Sequence, residues 1–205
     1  MTSDIKAAAD LIKRGGLAAF PTETVYGLGA NAFDEAAVRK IFLAKGRPSD
    51  NPLIVHVALP AQIDEIVAEL SEHAKIFIKE FFPGPLTIVA RSSGKVARSA
   101  TAGLDTVAFR MPSGPIAQSL ITAAGVPLVA PSANLSGRPS PTTWQAVFED
   151  MNGRIDCILK GEPTTIGLES TVVDCSGDIP LLLRTGSVSL DELRAVVPET
   201  VDGTK

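Results

Sequence analysis

The sequence predicts a single α/β domain, a twisted mixed β-sheet with flanking helices. Three observations lead there. Short apolar runs rich in Val, Ile, Leu and Phe recur along the chain, and stretches with apolar positions at helical spacing separate them. No internal repeat is present. The 205 residues, 45% apolar and 20% charged, suit one buried core.

The elements follow in order. Residues 4–14 carry apolar positions at helical spacing and stop at Gly15-Gly16. Leu17–Phe20 reads as a strand, and Asp34 offers an N-cap to a helix that runs to Lys45 and closes at Gly46. Leu53–Val57 is a continuous apolar strand. Residues 61–82 hold two helical patterns that end at Pro83-Gly84-Pro85. Leu86–Ala90, Thr106–Arg110 and Pro127–Ala130 read as strands, with a helix over 115–124 between the last two. A helix covers about 142–151, and short strands follow at 157–160, 170–174 and 180–184. Ser189 caps a final helix. The domain is expected over 4–197, with a flexible C-terminal tail over 198–205.

Charge and cysteine usage narrow the function. With 19 basic and 23 acidic side chains the formal charge is −4, which argues against a dedicated nucleic-acid binder. Cationic groups can still gather locally around a phosphate. Cys157 and Cys175 lie in apolar runs at no metal-ligand spacing, so they read as buried free thiols in a reducing compartment. No run approaches the ~18 apolar residues of a membrane span. The first residues lack a signal peptide's basic-then-apolar order. The expected location is cytoplasmic, with no membrane association.

Polar residues crowd the strand ends. LAAF leads into Pro-Thr-Glu-Thr, TVAF into Arg110, PLVA into Pro-Ser-Ala-Asn, and PLLL into Arg184-Thr-Gly-Ser. Four such ends together favour a ligand cleft over four unrelated loops. Lys45 extends the apolar stripe of Val38, Ile41 and Phe42, so its ammonium either snorkels to water or reaches a cleft at the helix end. Arg47 follows on a Gly-Arg-Pro turn, and a lysine point charge beside an arginine fork suits a polyphosphate. His56 interrupts an apolar strand, either as a hydrogen-bonded core histidine or as a group that orients a polar ligand. His73 lies in a charged helix and reads as solvated. Glu23 and Glu169, each in a hydroxyl-rich run, are open to an acid–base role or to local backbone bonding. There is no Walker-type phosphate loop and no serine nucleophile elbow. Gly27-Leu-Gly29-Ala-Asn-Ala32 superficially fits the dinucleotide fingerprint, but PTETVY separates it from the preceding strand and Asp50 lies in a turn.

In these residues the sequence resembles the YrdC family, the L-threonylcarbamoyladenylate synthases. The resemblance rests on PTETVYGLGA, Lys45-Gly46-Arg47 with NPLIVHV, FPGPLT, AGLDTVAFRMP, Ser132-Ala133-Asn134, GLESTVVD and LLRTG, and runs from about residue 4 to 197. It implies a concave YrdC-like domain with a positively charged cleft that makes threonylcarbamoyl-AMP and pyrophosphate from L-threonine, bicarbonate and ATP. That product serves threonylcarbamoyladenosine modification next to the anticodon of ANN-decoding tRNAs, through a separate transferase, with at most weak tRNA binding by this chain. Carried over by position, Thr24, His56, Arg110, Ala130 and Ser170 would contact threonine. Arg47, Asn51, Thr106 or Val107, Ser132, Ser140 and Arg184 would contact ATP. Asn134 would hold the Ser132 loop, and Lys45 with Arg47 would act on the phosphates, whose Mg2+ needs no metal ligand from the protein. Two-domain relatives close the cleft with a linker tyrosine, whereas the only tyrosine here is Tyr26. The chain therefore resembles the single-domain type or a shortened two-domain protein. The competing expectations are an RNA-binding YrdC-like module, or a paralogue with a different carbamoyl-adenylate reaction such as that of hydrogenase-maturation proteins.

Overall fold

The computed structural model describes residues 1–204. Helix α1 (Ile5–Lys13) starts at Asp4, whose carboxylate accepts from the Ala7 N–H, and leads into β1 (Ala18–Pro21) and β2 (Tyr26–Asn31). The side chain of Asp34 accepts from the N–H groups of Ala36 and Ala37 to open α2 (Glu35–Lys45), and Gly46 closes it in the left-handed region at φ 63°. Next come β3 (Ile54–His56), α3 (Pro60–Ile66), β4 (Val67–Glu69), α4 (Glu72–Phe81), β5 (Leu86–Ser92) and β6 (Thr106–Arg110). The chain continues through α5 (Pro115–Ala124), β7 (Leu128–Val129), α6 (Trp144–Met151), β8 (Cys157–Ile158), β9 (Thr171–Asp174) and β10 (Leu181–Arg184). A capping box between Ser189 and Glu192 opens α7 (Leu190–Val196), and β11 (Val201–Asp202) ends the fold.

The strands form one mixed sheet in the order β11-β10-β9-β5-β6-β3-β7-β2-β1-β8, with β4 paired to β5 off that path. Alternation along the strands sorts side chains between two faces. One face carries Leu28, Val55, Leu86, Ile88, Val107 and Phe109, and it is covered by apolar residues of α2, α3, α4, α6 and α7. On the other, α1 and α5 pack on Phe20, Leu128 and their neighbours, leaving the stretch around β3, β6 and β9 open. Each fully buried Leu, Ile or Phe contributes roughly 1.5–3 kcal/mol. The helices thus leave the sheet around β3, β6 and β9 accessible to a ligand.

Three short strands escape periodicity. No strand is expected between Phe20 and Asp34, yet Tyr26–Asn31 is β2, antiparallel to β1 and β7. Its glycines are packing glycines: a Cβ on Gly29 would stand 2.8 Å from the Phe20 ring. β4 is only three residues long. The flexible tail expected over 198–205 is also revised. Val201 pairs with Leu181 and Asp202 with Leu182, and the buried Thr200 donates its hydroxyl to Val197 O, so 198–204 are docked. Lys205 lies outside the described residues. Cys157 and Cys175 are free thiols, half-buried and buried respectively. Among the described residues no helix is long and apolar enough to cross a membrane.

Candidate functional site

A cavity of about 210 Å3 opens on the uncovered sheet face and gathers residues from segments far apart in sequence. The four strand ends expected to carry a ligand do meet there, but not along a shared carboxyl edge. β6 is parallel to β3, whereas β7 is antiparallel to β3 and β1 is two further antiparallel steps away. The ends of β1 and β7 therefore point opposite to those of β6 and β10. They converge because β3 and β7 are only three and two residues long, so loops at both edges reach the same patch of face.

One end of the cavity is built around Arg110, the last residue of β6 and 3% exposed. Its Nε donates to Gly84 O at 3.1 Å and its Nη1 to Thr24 Oγ1 at 2.8 Å. Gly84 can sit there because any Cβ would overlap the Phe81 carbonyl oxygen. Nη2 lies 2.5 Å from Glu23 Oε1, a charge contact without hydrogen-bond geometry, so both Glu23 oxygens and Nη2 lack a hydrogen-bond partner. Burial pulls the guanidinium below its usual pKa, and the Glu23 charge opposes that shift. Arg110 thus combines a fixed charge with unused donor capacity.

His56 stands beside Arg110 through the β3–β6 pairing, and its ring meets Phe20 edge-on. Burial, reinforced by the Arg110 charge, lowers its pKa to about 3, so it is neutral at physiological pH. A proton on Nδ1 bonds Ile54 O at 3.3 Å, leaving Nε2 as acceptor. The sign of the pH dependence follows. The unfolded histidine binds a proton near pH 6.5 and the folded one only near 3, so stability is lost as pH falls between these values and is unaffected above them. His56→Gln should flatten that acid limb by up to about 1.4 kcal/mol per pH unit, read from urea unfolding at several pH values. Identical slopes in both proteins would show that His56 is not buried neutral.

The other end is polar and cationic. Arg184 donates from Nε and Nη2 to Ser170 O at 3.0 and 2.8 Å, and Ser170 Oγ is 2.7 Å from Thr87 Oγ1. Glu169 accepts from the Ser140 hydroxyl, which, with Arg184 behind it, holds the Glu169 carboxyl below the ordinary carboxylate range. Glu169 thus stays ionised and serves as an acceptor. Ser132 follows β7 on a loop tied to β2 by the Leu28 N–H to Pro131 O and the Ala133 N–H to Tyr26 O. Arg47 and Asn51 complete this end, and neither makes a side-chain hydrogen bond among the described residues. The charged groups lining the cavity are Arg47, Arg110, Arg184 and Glu169.

Of the residues singled out from sequence, Thr24, Arg47, Asn51, His56, Arg110, Ala130, Ser132, Ser170 and Arg184 line the cavity. Lys45, Asn134, Ser140, Thr106 and Val107 do not. Lys45 is 3% exposed, and its ammonium donates to Ser132 O at 2.5 Å and Asn134 O at 2.8 Å, with Asn134 Oδ1 at 3.5 Å. All three of its protons are committed to the loop behind Ser132. Burial first, and then the Arg47 charge, lower its pKa to about 8. Asn134 continues the clamp by donating to Leu135 O and Arg138 O. Lys45→Met would leave buried carbonyls unpaired and should lower unfolding free energy by about 1–3 kcal/mol. Unchanged thermal unfolding would mean that the loop holds without the ammonium.

Alternation separates Thr106 from Val107. Val107 is 2% exposed and packs with Phe109, whereas Thr106 shares the Arg110 face, four residues and roughly 13 Å away along the strand. Thr22, in the same Thr-Glu-Thr run but without a role expected from sequence, also lines the cavity. Glu23 stands out in sequence by its hydroxyl-bearing neighbours, whereas its ion-pair partner Arg110 lies 87 positions away. His73 contacts Glu199 at 2.8 Å on the surface.

With this geometry in place, comparisons with known proteins agree with one another. The Sua5/YciO/YrdC family model, described as telomere recombination, matches residues 10–186. The threonylcarbamoyl-AMP synthase of Pyrococcus abyssi is 53% identical over 195 residues, which cover 95% of this chain and 57% of that protein. The threonylcarbamoyl-AMP synthase of Bacillus subtilis is 51% identical over 194 residues, 94% of this chain and 56% of that protein. The crystal structure of P. abyssi Sua5 complexed with L-threonine superposes with a TM-score of 0.94 at 52% identity, over 97% of this chain and 58% of that one. The chain therefore spans a little over half the length of these relatives.

Proposed function

Because this chain belongs to the Sua5/YciO/YrdC family, we propose that it is a nucleotidyltransferase making threonylcarbamoyl-AMP and pyrophosphate from L-threonine, bicarbonate and ATP. The observation that carries this reading is the buried Arg110 beside Thr24 and a neutral His56, at one end of a cavity whose other end offers Arg47, Ser132 and Arg184. A guanidinium with spare donors pairs with the threonine carboxylate, and Thr24 and the His56 ring read the polar atoms of the amino acid. The second end suits a polyphosphate: a loop hydroxyl, and a guanidinium with no internal partner.

The chemistry needs no covalent enzyme intermediate. The neutral amine of threonine takes up the carbon of bicarbonate with loss of water to give a carbamate. A carbamate oxygen then attacks the α-phosphorus, and the bond to the bridging oxygen breaks with its electrons leaving on pyrophosphate. The cavity contributes position and charge compensation: Arg110 fixes one anion, and Arg47 faces the other as charge grows on the leaving group. Lys45 acts at one remove, through the Ser132 loop. Magnesium arrives with ATP as part of the substrate. The product feeds a separate transferase acting on tRNA, and we place the enzyme in the cytoplasm, where its free thiols stay reduced.

The test is pyrophosphate release from magnesium-ATP with threonine and bicarbonate omitted in turn. Release that requires both, with the mass of threonylcarbamoyl-AMP in the quenched mixture, supports the synthase. Release independent of threonine, or none from folded protein, rejects it.

A further inference from the structure

Behind Arg47 lies a second depression, a groove of about 1270 Å3 between the end of α2 and the 98–103 turn. Arg47 lines both this groove and the cavity on the sheet face, so the two adjoin at that residue. The groove carries two further arginines, Arg39 and Arg98, and the hydroxyl-bearing Ser49. Arg39 is engaged, its Nε 2.9 Å from Glu35 Oε1. Glu35 is the only acidic residue lining the groove, and its other oxygen accepts from the Ser99 N–H at 3.2 Å, so its charge is compensated. Arg47 and Arg98 have no side-chain hydrogen bond or ion pair among the described residues. The turn holding Arg98 is fixed: the Ala97 N–H bonds Ala32 O, the Gly103 N–H bonds Arg98 O, and Ala102 takes a positive φ of 52°. Two uncommitted arginines on this groove, one of them also a lining residue of the cavity, suit an anion that passes from one depression to the other.

We propose that this groove is a pyrophosphate subsite, in which Arg98 receives the leaving group that Arg47 faces during the reaction. The assignment rests on the synthase reading and extends it. When the α-phosphorus bond breaks, the negative charge moves onto the β,γ-unit, on the Arg47 side. A site beyond Arg47 lets that dianionic or more highly charged product leave while the acyl adenylate stays in the cavity. Arg98 is exposed and holds no internal bond, so replacing it leaves the fold intact.

The experiment titrates inorganic pyrophosphate with magnesium into the wild-type protein and into Arg98→Ala, Arg98→Glu and Arg98→Lys at low ionic strength, with L-threonine titrated in parallel. Pyrophosphate affinity should fall about tenfold in Arg98→Ala, the loss expected for one charge-assisted contact. It should fall further in Arg98→Glu and largely return in Arg98→Lys, with threonine affinity unchanged throughout. Pyrophosphate affinity equal to wild type in both the Ala and Glu variants overturns the assignment. So does an equal loss of threonine affinity, which would place the effect in the fold. Threonine- and bicarbonate-dependent pyrophosphate release by wild-type protein is measured alongside. If release is intact while the titrations fail, the subsite falls and the synthase stands. If release is absent, the synthase falls, and the titrations still decide whether the groove binds the anion.

Discussion

Arg110→Ala is expected to destabilise the domain by about 3–5 kcal/mol, because it strands the Glu23 carboxylate in the interior. Glu23 is 7% exposed, neither of its oxygens has a hydrogen-bond partner, and its compensation is the Arg110 charge at 2.5 Å. The truncation also leaves Gly84 O and Thr24 Oγ1 without the donors they now have. Urea unfolding should therefore show a large fall in midpoint. The companion variant Arg110→Met/Glu23→Leu separates causes, because an apolar pair of similar volume often replaces a buried ion pair at little cost. It should regain most of the stability and none of the threonine affinity. If the single variant unfolds like wild type, the ion pair is not what holds this end of the site. If the double variant binds threonine normally, Arg110 is not the carboxylate partner.

That pair also shows what a sequence can and cannot disclose. Helices were legible wherever local chemistry sets the ends: Asp34 and Gly46 bracket α2, and Ser189 opens α7, because caps act within a few residues. The longer apolar strands β5 and β6 were legible from their runs, whereas β2 was not, since its alternate residues are glycines chosen for close packing against Phe20 and Ala130. Tail strand β11 has two residues and no pattern to read; it exists through its pairing with β10. The site divides along the same line. The polar strand ends pointed to a cleft, but strand direction is a tertiary property, and the convergence proved to run across the sheet face. Lys45 is the sharpest case. Its place on the apolar stripe raised the choice between solvent and cleft, and the chain took neither: the ammonium is spent on two carbonyls of a loop some 87 to 89 residues later. No spacing rule reports that partner.

Arg47→Ala should behave in the opposite way to Arg110→Ala, leaving unfolding unchanged and cutting turnover by about 10²–10³-fold. The reason is the contrast in commitment. Arg110 and Lys45 are buried and bonded to the protein, so their removal is felt first in stability. Arg47 is half-buried and holds no side-chain partner among the described residues, and it lines both the cavity and the groove. A guanidinium kept free of internal bonds contributes little to folding and is available to an incoming anion, most of all while charge develops on the leaving pyrophosphate. Arg47→Lys should recover only part of the loss, because a point charge replaces the two-pronged fork. Steady-state pyrophosphate release at saturating ATP and threonine, set beside thermal unfolding of the same preparations, reads both quantities. Near-normal release from Arg47→Ala would remove it from the reaction and return the burden of charge compensation to Arg184. A matching loss of stability would instead make Arg47 a structural residue and leave the junction between the two depressions without a functional charge.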